Sequence, residues 1–394
     1  MALTGDKIGI PEADEAPVVL MPRWKQPIAG IVSLIWTLIF TAVAWFVIGY
    51  SPVPIASAVS LFGGFGLMAV LFAIWFENWP FYKLRAPWKA GLAATIWNVI
   101  VAFIFYILAN WFATLYAPYI GLVDAYVTLG VGWAIFGSLS ASCFSFAVLW
   151  VAGTMYWPVF DKKQPMRGII VFVFGWIITL AVWILMFFPF GNPAASLLNP
   201  LTWVVQPYGF NMGWTQWTIF FSLLTLMTFE YWPWNKAGKQ PLIGIVAFIV
   251  CAILGYVAVI VAALLGMYVT LPIFIAMFGD PGVAFHLPAV GLWNVAYADW
   301  LIVAVIVVSL FMDNWPKGFS QMKNILIRLV TVFILGTLFF IGIYFVTPFL
   351  SVPLLPFSGN PFYDNITAFL LVMLWVQLIF AYLWRKWPIY TTME

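Results

Sequence analysis

Three acidic side chains stand two residues ahead of a Trp-Pro pair: Glu77 in FENWP, Glu230 in FEYWP and Asp313 in MDNWP. Carboxylates recurring at one level of an apolar chain can form a charged ring at the mouth of a pore, selecting cations or relaying protons. A second reading stays open: carboxylates at helix ends reach headgroup water and pair with Lys or Arg of the adjacent connection. The matching positions ahead of Trp157 and Trp387 hold Met155 and Arg385. Deeper in the apolar runs, polar side chains are few, and Asn98 and Gln377 join the carboxylates as candidates for a substrate or ion path. Asp280, His286 and Asp299 fall in one late stretch with the only histidine. They could bind or relay a proton, or form the polar cluster a lipid-directed enzyme needs.

Most catalytic classes lack their residues here. There is no GxSxG elbow, GxxxxGK phosphate loop or HExxH pair, so no catalytic residue is assigned and enzymatic activity is not the leading expectation. One histidine cannot supply a bis-histidine haem, and Cys143 and Cys251 both sit inside apolar runs with no CxxC spacing. No metal and no cofactor is therefore expected.

The elements that must position these residues follow from composition. With 65% hydrophobic and 7% charged residues in 394, the chain departs far from the roughly 25% charged fraction of soluble proteins. It reads as an all-α polytopic membrane protein, since about 20 apolar residues cross a bilayer as helix. Ten spans are expected, near 27–50, 57–76, 89–111, 136–157, 168–190, 215–232, 243–268, 297–314, 325–348 and 366–385. All sixteen Lys and Arg residues lie in the N-terminal tail, in alternate connections or at the last helix end. Cytoplasmic loops carry that excess, so both termini are expected on the cytoplasmic side of an inner membrane. A basic surface of this kind suits anionic lipid headgroups rather than nucleic acid. Membrane lipids, protein partners or a second copy of the chain are the expected partners.

Two short patterns recur. KQPIAGI, KQPMRGI and KQPLIGI place Lys25 and Pro27, Lys163 and Pro165, and Lys239 and Pro241 at the start of alternate spans. Proline suits the first turn of a helix, where its missing N–H costs nothing, and the lysine marks the interface. Trp79, Trp157, Trp232, Trp315 and Trp387 are each followed by proline, at intervals of 72 to 83 residues. Such a period indicates a tandem repeat, here five helical hairpins over about 22–80, 81–158, 159–233, 234–316 and 317–388, behind a polar tail at 1–21. Tryptophan favours the headgroup region and the residue before proline leaves helical geometry, so the second span of each hairpin is expected to stop at Trp-Pro. The longer apolar connections, such as NPLTWVVQPYGFNMGW, are expected as short interfacial helices or re-entrant segments. The leading functional expectation is a transport or channel protein for a small neutral, cationic or amphiphilic solute. The alternative is a non-catalytic anchor or scaffold subunit of a larger complex, such as a respiratory or quinone-linked one.

Overall fold

The computed structural model describes residues 20–50, 56–116, 135, 137–188, 193–201, 207–278, 296–350 and 361–392. It is mostly helical. In chain order the helices are α1 (Ile28–Gly49), α2 (Ala56–Ile74), α3 (Pro87–Tyr116), α4 (Gly137–Thr154), α5 (Met166–Met186) and the short α6 (Pro193–Leu197). They continue with α7 (Pro207–Leu223), α8 (Leu242–Leu265), α9 (Ala296–Phe311), α10 (Gln321–Val346) and α11 (Pro361–Leu378). Among the described residues six stretches are long and apolar enough to cross a membrane: Ile28–Val47, Pro87–Leu108, Gly137–Thr154, Met166–Met186, Leu242–Val269 and Gln321–Ile343.

Burial divides the helices into two sets. In α1, α3, α5, α8 and α10 only 22–28% of the spanning window is buried, against 61% in α4. Each of these five carries a long row of exposed Ile, Leu, Val and Phe, while among the described side chains no large exposed hydrophobic lies on α2, α4, α7, α9 or α11. An apolar face of that extent needs a hydrocarbon surround. In α9 every residue from Ala298 to Phe311 except Leu310 is buried, as expected of a helix covered on all sides.

Contacts between the sets close on themselves. The inner helices neighbour one another in the order α2, α4, α7, α9, α11 and back to α2, with Phe311 against Phe380 joining α9 to the last inner helix. Each outer helix lies over a groove between two inner ones. Helix α1 covers α9 and α11, α3 covers α11 and α2, α5 covers α2 and α4, α8 covers α4 and α7, and α10 covers α7 and α9. The two ends of the described chain also meet: Leu20–Pro22 (β1) pairs antiparallel with Tyr390–Thr392 (β2), and Arg23 N–H donates to the Ile389 carbonyl at 3.1 Å. These short strands are an addition to the all-α expectation.

The helix ends differ from expectation in an instructive way. The inner helices stop before the Trp-Pro pairs, at two consecutive left-handed residues: Glu77 and Asn78, Met155 and Tyr156, Glu230 and Tyr231, Asp313 and Asn314, Arg385 and Lys386, with φ between 50° and 68°. Asn78, Tyr231, Asn314 and Lys386 then donate their backbone N–H to Phe72, Thr225, Val308 and Phe380, so the chain folds back over its last turn. Left-handed geometry costs an L-residue about 1–2 kcal/mol, so tertiary contacts must hold these turns. The five Trp-Pro bonds are cis, as are Gln26-Pro27, Gln164-Pro165 and Gln240-Pro241. A π segment precedes four of the corners: Cys143–Val148 within α4, Leu224–Thr228 after α7, Val307–Phe311 within α9 and Ile379–Leu383 after α11.

Elsewhere, α7 begins at Pro207 rather than near 215, taking in the last eight residues of NPLTWVVQPYGFNMGW. Pro207 serves as its first residue, and Asn211 anchors it by donating to the Met186 carbonyl at 2.8 Å. Helix α8 continues through a π segment, Gly266–Thr270, into Leu271–Phe278, ten residues beyond the expected end.

Candidate functional site

The three repeated carboxylates lie at the corners where inner helices end, and each is bound by cations or amides of other elements. Glu77 pairs with Arg167 at the start of α5 and accepts from Gln164 Nε2 at 3.3 Å. Asp313 accepts from Gln26 Nε2 at 2.8 Å, from Tyr390 Oη at 2.5 Å and from Lys386 Nζ at 2.7 Å. Glu230, more exposed, lies 3.6 Å from Arg328 and accepts from Asn314 Nδ2 at 3.3 Å. These carboxylates are joints between helices.

The repeated KQPxxG pattern is the other half of the joint, through a residue whose role was not evident in the sequence. Gln26, Gln164 and Gln240 donate from Nε2 to the carbonyls of Phe311, Trp75 and Gly153 at 2.9–3.0 Å. Each acceptor lies two residues before the left-handed pair. Their Oε1 atoms accept the N–H of Gly30, Gly168 and Gly244, which turns the amide back onto its own helix. In α10, which lacks the pattern, Arg328 does the same work by donating to the Thr228 carbonyl at 3.0 Å. The pattern's glycines let the outer helix touch the corner: a Cβ on Gly30, Gly168 or Gly244 would fall within 2.5 Å of Met312, Phe76 or the Gly153 backbone. Lys25, Lys163 and Lys239 stand exposed beside them, while Pro27, Pro165 and Pro241 immediately precede α1, α5 and α8. Trp157 and Trp315 are exposed, whereas Trp79, Trp232 and Trp387 are half-buried.

A second set of bonds runs round the rim. The residue directly before each Trp reaches the preceding corner: Asn78 to the Tyr382 carbonyl at 3.4 Å, Tyr156 to that of Ile74, Tyr231 to that of Ala152 at 3.0 Å, Asn314 to that of Met227 at 3.0 Å, and Lys386 to Asp313. The last carbonyls of a helix have no partner within it; here four of the five corners satisfy one from the next corner. Only donors, Asn, Tyr or Lys, stand at this position, and burial pushes Tyr231 up to about 12 and Tyr156 well above the usual tyrosine range, so both hydroxyls stay protonated. Tyr231→Phe should leave the Ala152 carbonyl without its donor and cost about 1–2 kcal/mol. A lower melting temperature than for the exposed control Tyr50→Phe, with unchanged helicity, checks this.

The deeper candidates separate. Asn98 on α3 donates to the Phe65 carbonyl and accepts from Trp375 Nε1, each at 3.1 Å, tying α2 to α11. Gln377 on α11 is fully buried, and neither polar atom of its amide has a partner among the described residues. Trp375 faces α3, and Gln377, two residues further along a helix that turns about 100° per residue, is rotated away from it; Phe380 of the same region meets α9. Asp299 is buried near the start of α9, where Trp300 and Leu301 face α10 through Phe339 and Gly336. On α1, which covers α9 and α11, Ser33 is buried and its hydroxyl has no partner among the described residues; nothing in the sequence singles it out. The hydroxyls of Ser138, Ser142 and Ser145 are engaged with backbone carbonyls. Asp280 and His286 lie outside the described residues. Among the described residues no group of three His, Cys, Asp or Glu converges to hold a metal ion. Compared with known proteins, the chain matches no protein family, no curated protein and no solved structure.

Proposed function

We propose that the chain is an integral membrane transport protein. In this reading five same-orientation helical hairpins cross an inner membrane ten times with both termini cytoplasmic, and a small neutral or cationic solute moves through the space the inner helices enclose. The one-sided distribution of Lys and Arg supports the orientation. The cyclic packing of an exposed apolar set of helices around a buried one supports the enclosure. The observation that carries transport is Gln377, a buried amide with donor and acceptor both unspent, because buried polar groups are kept without partners where water or a ligand supplies them. Asp299 adds a carboxylate at a second height. At a rise of 1.5 Å per residue, Gln377 and Asp299 lie about 12 and 21 Å from their corners.

Flux into proteoliposomes tests this with urea, glycerol, methylammonium and potassium as probes. Gln377→Leu and Asp299→Asn are each expected to lower flux of the transported probe roughly tenfold, the worth of one strong hydrogen bond, while the melting temperature is retained. No flux above protein-free vesicles for any probe rejects the reading. The anchor-subunit alternative draws on the rim carboxylates, all engaged inside the protein. A stable partner set in native purification with mass spectrometry would favour it.

A further inference from the structure

The corner of the last inner helix breaks the charge pattern of the others. Where three corners carry a carboxylate, this one carries Arg385, which donates from one nitrogen to the Tyr82 carbonyl at 2.9 Å and leaves Nη1 buried with no acceptor among the described residues. Its neighbour Lys386 is taken by Asp313. Tyr82 opens the connection Lys83-Leu84-Arg85-Ala86-Pro87-Trp88-Lys89, which contains no acidic residue. Lys83, Arg85 and Lys89 are all exposed and make no ion pair among the described residues; the Lys89 ammonium lies 5.4 Å from the Trp88 ring. Helix α3 begins there with no acid in its first turn, so its positive end adds to the same field. The corner is held to α3 by Thr95 accepting from Trp384 Nε1 and by the contact of Gly91 with Trp384, and beside the Lys386–Asp313 pair Arg385, Lys83, Arg85 and Lys89 carry no carboxylate partner among the described residues.

We propose that this corner binds the phosphate of an anionic phospholipid headgroup. A guanidinium nitrogen lacking an acceptor suits a phosphate oxygen, and Lys and Arg around it supply the charge. The surroundings favour a lipid as the source: Trp88, Leu84, Leu92 and Ile96 are exposed beside the cations, at the foot of the hydrocarbon-facing surface of α3. An acyl chain would lie along α3 while its headgroup meets the cluster. This proposal stands whether or not a solute crosses the protein.

The test uses the full chain in detergent, with dioleoylphosphatidylglycerol and dioleoylphosphatidylcholine competing, and bound lipid read by native mass spectrometry. Phosphatidylglycerol is expected to be preferred by roughly tenfold or more, and each of Lys83→Gln, Arg85→Gln and Lys89→Gln to lower that preference about fivefold. The triple variant should show no preference and an unchanged melting temperature in phosphatidylcholine. A matched triple at other corners, Lys236→Gln, Lys239→Gln and Lys317→Gln, should keep it. No preference in the native chain, or equal loss in both triples, overturns the proposal. So does stabilisation by inorganic phosphate alone equal to that by phosphatidylglycerol, which would assign the site to a soluble anion.

Discussion

Replacing Gly244 with alanine is expected to lower stability by about 3 kcal/mol or more, at the upper end of what overpacking costs. The added methyl would sit 2.5 Å from the carbonyl carbon and oxygen of Gly153 and from the nitrogen of Thr154. All three are backbone atoms, so no side-chain rotation relieves the clash, and α8 must move off the end of α4. That motion also lengthens the Gln240 bond to the Gly153 carbonyl. Gly30→Ala should be milder, because the nearest atom there is Cγ of Met312, which side-chain rotation can move, and the Met312 backbone comes no closer than 3.0 Å. Gly318→Ala, with nothing within 4 Å, serves as the control. Melting temperatures in one detergent check the ranking, and an unchanged value for Gly244→Ala would show that the two helices do not meet here.

Arg328→Leu is the second large effect, expected at about 3 kcal/mol or more. The side chain is 3% exposed and donates to the Thr228 and Pro316 carbonyls, each at 3.0 Å. Loss of the guanidinium strands both acceptors, each costing about 1–3 kcal/mol when buried. Its ion pair contributes less, because Glu230 is half exposed and water screens it. Glu230→Gln should therefore cost at most about 1 kcal/mol, and Arg328→Lys should fall between, since one ammonium cannot reproduce the guanidinium fork. Equal losses for Arg328→Leu and Glu230→Gln would assign the effect to charge and overturn the carbonyl account.

Membrane character was legible from composition, because hydrocarbon admits few residue types and the count alone excludes a soluble chain. The corners were legible as recurrences of Trp-Pro, but their mechanism was not. Glu77, Met155 and Tyr231 have no intrinsic liking for left-handed backbone, so nothing local announces that the helix ends on them. The donors before each tryptophan, Asn78, Tyr156, Tyr231, Asn314 and Lys386, share no residue type, only the capacity to donate. Gln26 could not be read because its acceptor, Phe311, is 285 residues away. Of the path candidates, the carboxylates looked alike in sequence, and only the positions of Arg167, Arg328 and Lys386 reveal that they are engaged. Gln377 differs from Asn98 in the opposite sense: both were isolated amides in apolar runs, and Asn98 has its partners while Gln377 has none among the described residues.

The seat of α1 between α9 and α11 has a consequence for how such a chain is made. Translation and insertion follow chain order, so α1 enters the membrane before α9 and α11 and must wait until both have been made before its groove exists. Until then the face bearing Gly30, Ser33 and Thr37 has only lipid or the insertion machinery to cover it. Docking of α1, and pairing of β1 with β2, can come only after α11 and β2 have been made. A chain stalled before α9 would therefore expose a polar stripe on its first helix, which gives cellular quality control a means of distinguishing unfinished molecules from finished ones.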